Sequence, residues 1–280
     1  MSLNKTLTIA GSDTSGGAGI QADLKTFQEH GTYGMTALTT VVTMDPANHW
    51  SHNVHPLPIE TLKAQIDTAL STGVSALKTG MLGSVEIIET AAQAIDRSNT
   101  DKVVIDPVMV CKGEDEVLHP ETVGAMQEHL LPRAMVVTPN LFEAWQLSGV
   151  GPIRTIEDMK AAAAKIVELG AKSVVVKGGK QLEHDQAVDL FYDGNTFTLL
   201  EAEKADTSYN HGAGCTFAAA ITANLANGLE LKEAVSNAKE FVTAAIHHGW
   251  RLNEYVGPVM HGAHGRFSKV PVHKETLNAQ

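Results

Sequence analysis

In the segment Asn210-His211-Gly212-Ala213-Gly214-Cys215-Thr216, residue type and spacing say most about chemistry. Three small residues, Gly212, Ala213 and Gly214, open a stretch of helical character. Consecutive backbone N–H groups are then left without intrahelical acceptors and point at whatever lies before them, which makes an anion hole. In that first turn Cys215 sits where a thiolate is favoured, although a bound polyphosphate pushes the thiol back up. From the residues alone three uses of Cys215 stay open: a buried structural thiol, a nucleophile with His211 as its base, or a base beside a phosphoryl-transfer centre. The last also explains the glycines.

Other candidates follow short apolar runs. Lys177-Gly178-Gly179-Lys180 combines close backbone approach with two ammonium groups, an anion site in an otherwise acidic chain, or a plain turn. It is no Walker A loop, because GxxxxGK[ST] is absent. Thr138-Pro139-Asn140-Leu141-Phe142-Glu143 suits a capping box on a helix, and equally an amide and a carboxylate facing phosphates and Mg²⁺. Asp106-Pro107 sets a carboxylate at a strand end, structural or magnesium-associated. The polar stretch Cys111 to Glu116 reads as a lid over about 108–118 or as an ordinary surface loop. Gly17-Ala18-Gly19-Ile20-Gln21-Ala22 matches GxGxxA, but it stands six residues past its strand, with no acidic residue where a ribose needs one, so a dinucleotide fold is disfavoured. Asp23, one turn further, is either a solvated charge or an acceptor at the mouth of a site. His49, His52 and His55 lie among Asn, Pro and Ser outside helical context and make a poor zinc site. His247 and His248 cap a helix end.

These loops need a frame, and the chain supplies a rhythm for one. Apolar runs at 7–10, 37–43, 76–79, 103–106, 135–138 and 173–177 alternate with helical stretches at 19–30, 59–70, 85–97 and 156–170, the pattern of parallel strands joined by crossover helices. Two runs flanking Gly194-Asn195, 187–193 and 196–202, predict a hairpin. Helices are expected at 214–227 and 231–247, with a tail beyond Gly257 that is partly ordered at best. No linker or repeat divides the 280 residues, so one doubly wound α/β domain over 1–280 is expected, with ligands beyond the carboxyl ends of the strands.

Composition narrows the partners. With 21 Lys and Arg against 32 Asp and Glu, the net charge is -11, which disfavours nucleic acid as a partner and demands a local device for any anionic substrate. Two cysteines, Cys111 and Cys215, are the usage of a reducing compartment. Without a long apolar run or a charged leader, the chain reads as cytoplasmic, with no membrane partner.

Taken together, TIAGSDTSGGAGIQADLKTF, ALKTGML, VVIDPVMVCKG, VVTPNLFEA, VVVKGG and HGAGCTFAAAI resemble the ribokinase-like superfamily. Within it they look most like the branch of hydroxymethylpyrimidine kinases and the related bacterial pyridoxal kinases. The resemblance spans about residues 5 to 260. It implies a three-layer αβα fold, usually dimeric, that moves the γ-phosphoryl of ATP onto a hydroxymethyl group of a small aromatic ring. By the same resemblance Gly11 and Asp23 hold ring substituents, with Met44, Met81 and Val108 around the ring. Asn140, Glu143, Lys177, Gly178, Gly179, Lys180, Gln181, Asp189, Gly214 and Lys239 lie near ATP. Asp106 and Glu143 belong to the Mg²⁺ environment, and Gly212, Ala213, Gly214 and Cys215 form the anion hole. The superfamily's motif here ends in an Asp base; Cys215 in its place is the habit of this branch.

Pyrimidine kinases of the branch typically carry Gln where this chain has Met44, and a thioether favours the more apolar pyridine ring. MVCKGEDEVL looks like the two-cysteine pyridoxal kinases, and a thiol at Cys111 adds reversibly to an aldehyde. The expectation is therefore phosphorylation of the 5′-hydroxymethyl group of pyridoxal, pyridoxine and pyridoxamine. A hydroxymethylpyrimidine kinase and a vitamer-binding module without turnover are the alternatives.

Overall fold

The computed structural model describes residues 3–109, 121–267 and 270–277. The chain runs β1 (Lys5–Asp13), α1 (Gly19–Glu29), β2 (Tyr33–Asp45), β3 (Ser51–Pro56), α2 (Ile59–Ser71), β4 (Ala76–Thr79), α3 (Val85–Arg97) and β5 (Val103–Ile105). It continues with α4 (Glu121–Ala125), which runs on through a wider π turn and a tighter 3₁₀ turn, then β6 (Val136–Val137), α5 (Leu141–Ser148), α6 (Ile156–Glu168) and β7 (Val174–Lys177). The rest is β8 (Ala187–Tyr192), β9 (Phe197–Ala202), α7 (Ala213–Ala226), α8 (Leu231–His247), α9 (Ala263–Arg266) and β10 (Val272–Leu277). All the described strands join one sheet in the order β10-β9-β8-β7-β6-β5-β4-β1-β2-β3. The centre is parallel; β3 at one end and β8, β9 and β10 at the other are antiparallel.

Alternation along the strands sorts the apolar residues into two cores. Ile105, Val137, Val174 and Val176 face α2 to α6, whereas Val104, Val136 and Val175 face α7 and α8. Both faces are covered, which is why the central strands are continuous β-branched runs rather than half-polar ones. Helix α7 is buried from Thr216 to Ala226, because the sheet, α1 and α8 enclose it. The three-layer α/β/α architecture read from the sequence is therefore found, including the hairpin across Gly194.

The tail carries regular elements. Residues 257–267 fold back on the molecule, a bridge ties His211 to Pro258, and β10 pairs with β9 along its full length. Strand β10 is mostly exposed and carries His273, Lys274 and Glu275, so the backbone ladder holds it and no hydrophobic pattern announces it. Strand β3, which holds His52 and His55, also went unannounced. For the binding face, the decisive irregularity is in β1: its register with β2 shifts between Ala10 and Ser12, a bulge at Gly11 where the strand meets the cavity.

Candidate active site

A cavity of about 880 Å³ opens at the carboxyl ends of the parallel strands. Its size suits a nucleotide and a small second ligand. One end is lined by Gly11, Val42, Met44, Met81 and Val108, the other by Asn140, Glu143, Lys177 to Gln181, Asp189 and Lys239. The opening turn of α7 lies against the same space.

Helix α7 starts at a residue only glycine tolerates. Gly212 has φ 82, and a Cβ there would stand 1.8 Å from the carbonyl oxygen of Gly17. The turn is thereby pressed against the glycine loop that follows β1. Thr216 N–H donates to Gly212 O and opens the helical ladder, while Ala213 N–H turns back onto Asn210 O. The sequence leads one to expect an unbroken run of open donors; Ala213 interrupts it, while among the described residues the N–H groups of Gly212, Gly214 and Cys215 have no backbone acceptor. Lys177 reaches over them: its Nζ lies 3.3 Å from where a Cβ on Gly214 would be.

Lys177 Nζ also donates to Asp106 Oδ1 at 3.2 Å, which accepts the Thr138 hydroxyl at 3.2 Å as well. Burial alone would lower the Lys177 ammonium, but the carboxylates of Asp106 and Glu143 raise it above its ordinary value, so it stays charged. Glu143 closes a capping box with Asn140, 2.8 Å in each direction. Burial, with Asp106 adding repulsion against the pull of Lys177, pushes the Glu143 carboxyl up to about 7. Asp189 accepts Gly178 N–H at 3.1 Å and the Lys239 ammonium at 2.8 Å, which fixes the Gly178-Gly179 turn.

Burial pushes the Cys215 thiol up to about 12, with the charges of Asp106 and Asp23 adding to the shift and Lys78 and the Gly19 N–H opposing it. His211 is not its base. The His211 Nε2–H donates to Asp13 Oδ2 at 2.7 Å, and Asp13 also accepts the N–H groups of Ser15 and Ala18 at 2.8 Å each. Burial would raise the Asp13 carboxyl, yet these bonds and the nearby imidazole hold it well below the usual carboxylate range. The pair is a clamp between the glycine loop and α7.

Asp23, expected at the mouth of the site, is fully buried and does not line the cavity; its Oδ2 accepts the Lys78 ammonium at 3.0 Å and the Thr8 hydroxyl at 2.6 Å. Its Oδ1 has no hydrogen-bond partner among the described residues. Lys78 itself borders the cavity above it, and the charges of Asp23 and Asp106 raise its ammonium above the ordinary value against the cost of burial.

The family model for phosphomethylpyrimidine kinase matches residues 13–260. The chain belongs to that family. Pyridoxine kinase of Bacillus subtilis is 59% identical over 264 residues, covering 94% of this chain and 97% of that protein. The solved structure of Staphylococcus aureus pyridoxal kinase in complex with AMP-PCP and pyridoxal superposes with a TM-score of 0.94 at 56% identity, covering 99% and 100% of the two chains. The hydroxymethylpyrimidine/phosphomethylpyrimidine kinase of Bacillus subtilis is 43% identical over 269 residues, covering 96% of this chain and 98% of that protein. The fold of this family member is ribokinase-like, as the motifs implied.

Of the residues singled out in the sequence, Gly11, Met44, Met81, Val108, Asp106, Asn140, Glu143, Lys177, Gly178, Gly179, Lys180, Gln181, Asp189, Lys239 and the turn from Gly212 to Cys215 all border the cavity. Cys111 and most of the lid stretch lie outside the described residues. Sequence reasoning missed Lys78, Asp13 and His52. Lys78 sits in an apolar run whose burial cannot be told from its neighbours, and the Asp13–His211 pair joins positions 198 residues apart.

Proposed function

We propose that the chain transfers the γ-phosphoryl group of ATP to the 5′-hydroxymethyl group of pyridoxal, pyridoxine and pyridoxamine. The observation that carries this reading is the Lys177 ammonium poised over the open N–H groups of Gly214 and Cys215, at the junction between an apolar ring-sized end and a polar nucleotide-sized end of one cavity. ATP occupies the side of Asn140, Glu143, Lys177 to Gln181, Asp189 and Lys239. The vitamer ring lies among Gly11, Met44, Met81 and Val108, so its hydroxymethyl group meets the transferring phosphate beside Cys215. Lys177 and the two N–H groups neutralise the equatorial oxygens, which is where a loose transition state carries its charge.

Cys215 receives the hydroxyl proton only as a thiolate, after its own proton has left to solvent; Lys78 and the Gly19 N–H favour that form against burial. In a loose transition state the nucleophile needs little deprotonation before transfer, so a base that is rarely ionised suffices where relatives of the superfamily use a carboxylate. Cys111 adds to the aldehyde of pyridoxal as a hemithioacetal and does not act on pyridoxine. Asp106 and Glu143 fit a magnesium ion held jointly with the phosphates: both border the cavity, and burial with the charge of Asp106 raises Glu143 against the pull of Lys177 and the N–H groups of Asn140 and Met109. When bound, that ion supplies charge neutralisation on the phosphate oxygens. The enzyme is a homodimer of single-domain chains working in the cytoplasm, in keeping with its two cysteines.

A second activity, on hydroxymethylpyrimidine, draws support from the family match and the 43% identical relative. Met44 speaks against it as the main one, because it offers no amide to the pyrimidine edge. Mg-ATP assayed side by side with pyridoxal, pyridoxine and hydroxymethylpyrimidine decides between them. Phosphorylated vitamer is the expected product; turnover of the pyrimidine alone, or no ADP with any of the three, overturns the reading.

A further inference from the structure

Strands β2 and β3 form a hairpin whose inner face borders the ring end of the cavity. Alternation sends Val42 and Met44 of β2 to that face, and His52 stands directly across from Met44 in the antiparallel register. The other two histidines of the cluster go elsewhere: His55 Nε2 meets the Thr43 hydroxyl at 3.1 Å, and His49 packs edge-on against Tyr255. Among the described residues no group of histidine, cysteine and carboxylate side chains can hold a metal, so the spacing of the three is not a zinc site.

Three other polar side chains that line the cavity are committed to partners. Ser12 Oγ accepts from Gln21, Asp13 accepts three donors, and Lys78 is held by Asp23. The His52 imidazole borders the cavity and has no hydrogen-bond partner among the described residues. Its position is set by a hairpin tip in which His49 (φ 49) and Trp50 (φ 62) take left-handed conformations unusual for such residues. Trp50 there stacks on Tyr255 at 6.4 Å and 16°.

We propose that His52 is a specificity-determining residue that hydrogen-bonds the phenolic ring hydroxyl of the substrate, while its cross-strand neighbour Met44 covers the adjacent ring methyl. The inference rests on the functional reading above. With the 5′-hydroxymethyl group turned toward Cys215, the opposite edge of a B6 ring, which carries a hydroxyl beside a methyl, turns toward the hairpin. One polar and one apolar side chain side by side match that edge. A pyrimidine presents ring nitrogens and no hydroxyl there.

The test compares wild type with His52→Ala and His52→Gln on pyridoxine and on its analogue with hydrogen in place of the ring hydroxyl. For pyridoxine, His52→Ala is expected to lower kcat/KM about tenfold, mainly through KM, as loss of one hydrogen bond does. The same substitution leaves the analogue within about twofold, and His52→Gln recovers part of the loss. Binding of pyridoxine shifts its near-ultraviolet band in wild type and not in His52→Ala. Equal losses on both substrates, or an unchanged KM for pyridoxine, overturn the inference while leaving the kinase reading intact. A wild-type enzyme that phosphorylates no vitamer overturns the kinase reading, and this inference with it.

Discussion

Gly212→Ala tests whether the opening of α7 is held in place by the glycine loop. Two costs are separable, because Gly228, just past the other end of the same helix, has a similar φ of 88 and nothing within 4 Å of an added Cβ. A left-handed alanine costs about 1–2 kcal/mol at either position. At Gly212 the new Cβ would stand 1.8 Å from Gly17 O, so the loop and the helix start must part by roughly 1.5 Å to restore van der Waals contact. A misplacement of about 1 Å at a reacting centre costs on the order of 100-fold in rate. Gly228→Ala is therefore expected to lower the urea midpoint and keep kcat. Gly212→Ala lowers the midpoint further and reduces kcat about 100-fold or more, measured by coupled ADP release with saturating pyridoxal. Equal kcat for the two folded variants would refute the argument, since the clash would then have been absorbed without moving the anion hole.

Lys177→Met removes the ammonium above Gly214 and leaves Asp106 without its partner; kcat is expected to fall by about 10²–10³, and a rise in KM with kcat unchanged would contradict a role on the transferring group. Glu143, raised to about 7 by burial, is protonated in the fold and ionised in the unfolded chain between its ordinary value of 4.5 and 7. Its contribution to stability therefore falls as pH rises through that window, by about 3 kcal/mol in full. Glu143→Gln, which keeps the capping bond, should gain on wild type in urea melts from pH 5 to pH 8; a parallel pair of profiles would contradict the assignment. With its thiol pushed up to about 12, Cys215 in the ligand-free protein should react with iodoacetamide at pH 7.5 roughly a thousandfold more slowly than an exposed thiol, by peptide mass spectrometry. Asp23→Ala strands the buried Lys78 and is expected to cost about 3–5 kcal/mol, with Lys78→Met/Asp23→Leu recovering part of it; additive losses would show the two do not act as a pair.

Much of this protein is written locally. Strand runs such as 174–177 and helices such as 85–97 follow from side-chain period, because a residue's neighbours within one element are set by 2.0 or 3.6 residues per turn. Motifs at strand ends were legible for the same reason: Gly212, Lys177, Asn140 and Glu143 lie where a doubly wound sheet collects its ligands. What the chain could not declare is pairing between distant positions. Asp23 reads as a mouth residue until α1 is docked on the sheet and Lys78 is found beneath the cavity. His211 reads as a base for its near neighbour Cys215 until Asp13 arrives from the far end of the chain. Strands β3 and β10 are held by backbone hydrogen bonds, which carry no side-chain signature. Local periodicity determined the elements and the order of their loops; only tertiary packing decided which charges face each other, because Coulomb and hydrogen-bond energies depend on separation in space and not on distance along the chain.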